Sequence, residues 1–442
     1  MTVADSPTAP APRSPVPGPA VPPLPERVAA AILGVTTPRC VYVYDRISLQ
    51  ERAQTVREAL PAGSSLLYAV KANGSPDVLD ALAAVVDGFD VASGGELALA
   101  RIARAGRATV AGAGLAAATA DTRATPGTPR WATPTGAVQE IHFSGPGKTD
   151  AELAAAVEAE ATVTVESMHE LRRLAVTAES AGVRVSLTLR VNRAHDPLTG
   201  SHAMTGTPTP FGIDESEIGA AIELVWQHPA LRLRGFALHA VSNNLDADAH
   251  ARFVSDAVRW SAATAERHGM PLTVINVGGG FGIDYTSTDA FDVAAFGKAL
   301  ASLALPSGAR LVFELGRFLA ADAGWYAAEV LDLKRNHGRW FAVVRGGTHH
   351  FRLPAAWGYS HPFTVLPVDE WTRPYPRPQV TDVDLDVVGE LCTPRDVLTR
   401  DQHVPRLRVG DVLVFARAGA YGWDISHHDY LRHDPPHFVI TG

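Results

Sequence analysis

The sequence predicts a parallel (β/α)8 barrel followed by a mainly antiparallel β module. Three observations lead there. Short apolar runs alternate with segments of helical period over about 250 residues, the pattern that builds parallel sheets closed by crossover helices. After Arg317 the pattern changes to short apolar runs that follow one another with no long helix between them. A composition of 46% hydrophobic and 19% charged residues fills an ample core in a chain long enough for two domains. An open doubly wound sheet is the alternative for the first part.

Taken in order, residues 1–25 are Pro/Ala-rich, offer nothing to bury, and read as a disordered tail. Residues 26–48 contain the run Cys40-Val41-Tyr42-Val43-Tyr44, a strand expected to join the later β module. The barrel is expected over 49–318, with strands at 66–70, 88–91, 140–143, 162–165, 184–191, 232–238, 272–276 and 310–313. A stretch at about 108–136, rich in Ala, Thr, Gly and Pro and without period, reads as an insertion in a surface loop. The β module occupies 319–442, with runs at 326–333, 340–344, 364–366, 383–388 and 412–415.

Composition also excludes functions. A net charge of −8 leaves no basic stripe for nucleic acid. No run of eighteen apolar residues provides a membrane span. The N-terminus lacks a basic segment followed by an apolar one, which argues against export, and the two cysteines, Cys40 and Cys392, lie far apart as in a reducing compartment. A cytoplasmic protein is expected.

The stretch 66–95 puts Lys71 at the end of a buried strand, where a lysine needs a carboxylate partner or a covalent use. A lysine held in a pocket can have its pKa lowered and become a nucleophilic amine. Three further stretches end predicted barrel strands, where barrel enzymes keep their active residues: His239, the run Gly278-Gly279-Gly280, and Glu314 with Arg317. The glycine run lets backbone N–H groups approach an anion. It is not a dinucleotide fingerprint, because Ile283 stands where the last glycine of G-x-G-x-x-G belongs. His349, His350, His427, His428, His433 and His437 show no spacing that converges on one ion, so no metal is expected.

YAVKAN at 68–73, GFDVASGGEL at 88–97, GGGFG at 278–282, ELGR at 314–317, C-x-x-x-D at 392–396 and GAYG at 419–422 stand in the order found in a known family. The chain from about Pro38 onward thereby resembles the fold-type III pyridoxal-phosphate decarboxylases, which include ornithine, arginine and diaminopimelate decarboxylases. FSGPGKTDAEL at 143–153, GGTHHFRLPAAWG at 346–358 and SHHDYLRH at 426–433 are most similar to the subgroup working in siderophore and antibiotic biosynthesis.

The resemblance implies pyridoxal 5'-phosphate as cofactor, carried on Lys71. It implies that His239 stacks on the pyridine ring, that Glu314 pairs with the ring nitrogen, and that Ser242, the backbone of Gly278 to Gly280, Arg317 and Tyr421 hold the phosphate. A carboxylate at the ring nitrogen maintains a strong electron sink, which favours decarboxylation over racemisation. Cys392 is implied as the acid that protonates the carbanion, and Asp396 as facing the far end of the substrate, both supplied by the second subunit of a homodimer with shared active sites. Asp90 and Glu96 match acidic positions with either structural or catalytic roles. Two departures stand out: Ala240-Val241 precede Ser242 where a glycine is usual, and Leu315 replaces a proline.

The implied activity is α-decarboxylation of a small amino acid or an amino-acid conjugate, free or attached to a carrier protein. A housekeeping diaminopimelate, ornithine or lysine decarboxylase is the alternative, and a non-catalytic regulator is disfavoured by the presence of Lys71, Glu314 and Cys392. Arg395 points to solvent, pairs within the dimer interface, or meets a carboxylate at the far end of the substrate, since a guanidinium pairs with a carboxylate in bidentate fashion.

Overall fold

The computed structural model describes residues 22–105, 139–194, 198, 200, 202–287 and 289–442. The Pro/Ala-rich tail lies outside the described residues as far as residue 21, and the insertion expected at 108–136 lies outside them entirely.

Eight parallel strands close into a barrel: Ser65–Ala69, Gly88–Val91, Glu140–Phe143, Thr162–Val165, Val185–Asn192, Leu231–Ala237, Val274–Asn276 and Arg310–Leu315. The closure is explicit, because the eighth strand pairs with the seventh (Val274↔Arg310) and also with the first (Leu315↔Tyr68). An open sheet would leave two edges unpaired, so the doubly wound alternative is excluded. Every expected barrel strand is present within one or two residues of its expected limits.

The helices between the strands start where side chains satisfy free backbone N–H groups. Thr149 and Glu152 cap Asp150–Glu158 reciprocally. Ser167 caps Met168–Ala181, and Asp246 caps the long helix Ala247–His268, whose end is set by Gly269 in the left-handed region at φ 62°.

Period-two alternation points every second strand residue into the barrel. Leu67, Val274 and Val312 form a separate buried apolar cluster there. Two residues beyond Val274 and Val312 the inward positions turn polar, with Asn276 and Glu314 joined by Asp90, His142, Thr164 and Thr188 from other strands. The barrel is therefore apolar in one layer and polar in the layer nearest the strands' C-terminal ends.

The second sheet has eight strands: Cys40–Asp45, Gly324–Asn336, Arg339–Val344, Thr364–Leu366, Gln379–Val388, Val397–Arg408, Val412–Phe415 and His437–Thr441. Most pairings are antiparallel. Two are parallel, Trp340↔Leu385 and Val41↔His437, which makes the sheet mixed. The early strand Cys40–Asp45 lies between Gly324–Asn336 and His437–Thr441. The strands Val397–Arg408 and His437–Thr441 have no clear apolar run, and their charged and histidine positions hide them in the sequence.

Candidate active site

Lys71 sits in a single 3-10 turn, Val70–Ala72, that ends the first barrel strand. Its Nζ lies 3.4 Å from Asp90 Oδ2, at the inward position of the second strand. Asp90 is buried and also accepts from Ser144 Oγ at 2.8 Å. About half of the lysine side chain, 48%, faces open space, and that space is the cavity at the strands' C-terminal mouth. The Asp90 charge raises the lysine pKa above its ordinary value against the desolvation of the site, so of the two ways to meet the cost of a buried lysine the carboxylate partner is the one seen here. Burial, and then the neighbouring Glu314 charge, push Asp90 up to about 6.

The cavity measures about 530 Å³ and is lined by Lys71, Asp90, Arg190, His239, Ser242, Asn276, Gly279, Gly280, Glu314, Arg317, Trp357 and Tyr421, among others. Glu314 Oε1 accepts twice, from Asn276 Nδ2 at 2.5 Å and from His142 Nδ1 at 3.2 Å. Its Oε2 has no partner among the described residues. Burial would raise this carboxyl, but the His142 hydrogen bond and charge, with Asn276 and Lys71, bring it below its ordinary value. His142 Nε2 stands 3.6 Å from Glu140 Oε2, and Glu140 pairs with Arg310 at 2.6 Å. Burial opposes the imidazolium, yet the two carboxylates raise His142 to about 9.

His239 Nδ1 accepts from the Gly279 N–H at 3.3 Å. Burial first, then the Arg190 and Lys71 charges, hold this histidine well below its ordinary pKa, so the ring is neutral. A Cβ on Gly278, at φ +68°, would lie 2.3 Å from His239 Nδ1, and one on Gly280, at φ +104°, would lie 2.6 Å from the Val241 carbonyl. Glycine is required at both positions. Of the three expected backbone donors, Gly278 N–H already serves Asn276 Oδ1 at 2.8 Å and Gly279 N–H serves His239. Gly280 N–H is the donor left for an anion.

Arg317 opens the short helix Arg317–Ala320 and is 6% exposed. Its guanidinium lies 4.0 Å from the Trp357 ring centre and 4.4 Å from that of Tyr421, and Nη1 donates to Tyr285 Oη at 2.8 Å. Tyr421, at φ +54°, donates its N–H to Ala72 O at 2.7 Å, which docks the β domain beside Lys71. Ser242 lines the cavity despite the missing glycine before it, and Leu315 is buried in register with Tyr68. Glu96 accepts from Ala92 N–H at 2.7 Å, holding its own turn.

Four expected residues do not line this cavity in the single chain: Gly278, whose N–H is already engaged, and Cys392, Asp396 and Arg395. Cys392 is exposed on the β domain. Asp396 is corrected: it is buried, with Oδ1 accepting from Thr348 N–H (2.6 Å) and Oγ1 (2.8 Å) and Oδ2 from Leu391 N–H (2.8 Å). Its carboxylate ties the 391–396 loop to the 346–348 turn, with both oxygens engaged inside the chain. Arg395 is exposed and lines a second cavity of about 710 Å³ with Arg352, Arg400, His427 and Thr393; none of that cavity's lining residues is acidic.

Sequence reasoning missed His142, Asn276, Arg190, Tyr285 and Trp357. The first three had a signal, being polar residues at inward positions of otherwise apolar strands. Arg190, for instance, pairs with Glu166 Oε1 at 3.0 Å.

Residues 46–114 and 132–321 match the family described as pyridoxal-dependent decarboxylase, pyridoxal binding domain. The chain is 38% identical over 407 residues to the 2-[(L-alanin-3-ylcarbamoyl)methyl]-2-hydroxybutanedioate decarboxylase of Staphylococcus aureus (strain NCTC 8325 / PS 47), covering 91% of this chain and 94% of that one. It is 30% identical over 409 residues to the L-glutamyl-[BtrI acyl-carrier protein] decarboxylase of Niallia circulans, covering 89% and 87%. Its fold superimposes on the crystal structure of diaminopimelate decarboxylase from Helicobacter pylori complexed with L-lysine, with a TM-score of 0.76 at 23% identity over 93% of each chain.

Proposed function

This chain belongs to the pyridoxal-dependent decarboxylases, and on that footing we propose that it removes the α-carboxylate of an amino-acid conjugate whose far end carries further carboxylates, in siderophore or antibiotic biosynthesis. The observation that carries the reading is the meeting, in one cavity, of Lys71 paired to Asp90 with Glu314, whose Oε2 is unengaged.

The donor set fits pyridoxal 5'-phosphate. Lys71 would carry it covalently, Glu314 Oε2 would face the ring nitrogen, and Gly280 N–H, Ser242, Arg317 and Tyr421 would hold the phosphate. When bound, the group supplies an electron sink for the pair left on the α-carbon as carbon dioxide departs. Neutral His239 presents an uncharged ring face in the cavity. Asp90 holds the Lys71 proton until the amine is needed as a nucleophile. A proton must then reach the α-carbon, and the exposed Cys392 thiol of a second subunit would deliver it, making the active form a homodimer with shared sites.

The far end of the substrate is read from Arg395. It shares an acid-free cavity with Arg352, Arg400 and His427, beside Cys392, and a pocket of this charge selects anionic groups. One relative supports such a substrate, being named for an alanin-3-yl amide of a hydroxybutanedioate; the other, named for a glutamyl group on a carrier protein, supports a conjugated substrate in general. The test compares kcat/KM for a hydroxydicarboxylate amide of a diamino acid with that for free ornithine, lysine and diaminopimelate. The conjugate is expected to win in wild type and to lose most of its advantage in Arg395→Ala. A preference for the free diamino acids, or an equal loss on all substrates, overturns the substrate class.

A further inference from the structure

Asp90 and Glu314 are two buried carboxylates facing one cavity, and like charges in such a place resist joint ionisation. Two cations divide them. Lys71 stands against Asp90, and His142 stands against Glu314. His142 itself is fully buried and does not line the cavity, so it touches neither substrate nor cofactor.

Its Nδ1 is hydrogen-bonded to Glu314 at 3.2 Å, whereas its buried Nε2 has no hydrogen-bond partner among the described residues and stands 3.6 Å from Glu140, within ion-pair distance of a charged ring. A neutral imidazole would turn a lone pair toward one of them, whereas an imidazolium presents an N–H to both. Glu140 and Arg310 line the cleft at the opposite mouth of the barrel. The charged groups around His142 are thus Glu140 on its own strand, Glu314 and Arg310 on the eighth strand, and Asp90 on the second, with Lys71 beyond.

We propose that His142 is a positioning residue: an imidazolium clamped between Glu140 and Glu314 that fixes Glu314 Oε1, leaves Oε2 facing the cavity, and ties the site to the Glu140–Arg310 pair at the far mouth. The clamp stands on side-chain geometry; what Glu314 Oε2 then holds rests on the decarboxylase reading above. With an apolar residue at 142, Glu314 keeps only the neutral donor Asn276. A buried carboxylate so placed takes up a proton and becomes a donor toward a ring nitrogen that needs an acceptor.

The test uses the full chain carrying His142→Leu, His142→Asn and Glu140→Gln, the last being a residue outside the cofactor cavity. Without cofactor, the fold favours the imidazolium, so its contribution to stability is complete below pH about 6.5 and is lost as pH rises through about 9. Denaturation midpoints of wild type should fall across that window, and those of both His142 variants should not. With pyridoxal phosphate, His142→Leu should weaken cofactor binding about tenfold or more, the effect of losing one charge-assisted hydrogen bond. Glu140→Gln should move the alkaline transition of the bound cofactor's absorbance to lower pH. Unchanged pH dependence in the cofactor-free variants, or full recovery of every property by the neutral donor of His142→Asn, overturns the clamp. A wild-type chain that shows the stability window yet traps no cofactor on Lys71 under borohydride supports the clamp and overturns the decarboxylase reading instead.

Discussion

Lys71 and Asp90 pair across unequal surroundings, the amine half open to the cavity and the carboxylate shut away at 2% exposure, 3.4 Å apart. The pairing makes the lysine a stored ammonium and not a free nucleophile. Lys71→Ala should therefore remove both the borohydride-trapped cofactor adduct and nearly all turnover, measured by mass spectrometry and carbon dioxide release. Near-normal turnover in that variant is the outcome that contradicts the assignment.

Asp90→Asn should shift the capture of pyridoxal phosphate by cofactor-free protein to lower pH. Asp90 is the largest influence raising the lysine, so its removal leaves desolvation to lower the amine's pKa. In wild type the same charge fades as pH falls through about 6. Stopped-flow absorbance across pH 5 to 9 would check this, and a shift to higher pH would contradict it.

Glu314→Gln should retain the cofactor through its phosphate contacts while turnover falls on the order of 10²-fold or more, since a neutral amide cannot stabilise a protonated ring nitrogen. Cofactor content and kcat measured on one preparation separate the two effects.

Asp396→Ala should destabilise the fold by about 2–4 kcal/mol, because it strands the buried Thr348 and Leu391 N–H groups. Chemical denaturation would measure it. A substrate ligand would instead raise KM at unchanged stability.

Lys71→Ala and Cys392→Ala subunits, mixed under conditions of exchange, should regain part of the activity neither has alone. An inactive mixture after demonstrated exchange would rule out the shared site.

The barrel was legible because its strands are apolar runs separated by well-capped helices, and Lys71, His239, Glu314 and Arg317 were legible because they end those strands. His142 and Asn276 hide inside strands, where one polar residue among apolar ones resembles an outward position until the register is known. Asp396 shows the opposite failure. Its place in a motif indicated a ligand, but the tight backbone approach of Gly347 and Gly389 around its carboxylate, which makes it a structural tie, depends on contacts remote in the chain. Trp357 and Tyr285 reach Arg317 from different domains, and no local pattern announces such a meeting.

The position of Cys40–Asp45 between two late strands has a bearing on biosynthesis. During synthesis this early strand emerges long before either neighbour, since residues 324–336 and 437–441 must both be made first. Until then it presents two open edges of Cys-Val-Tyr-Val-Tyr, a segment that pairs readily with other chains. Contacts spanning nearly the whole polypeptide also slow the search for the native state. Yield from a fast-translating host should therefore be limited by aggregation of nascent chains, and slower synthesis or a chaperone that shields residues 40–45 should raise it.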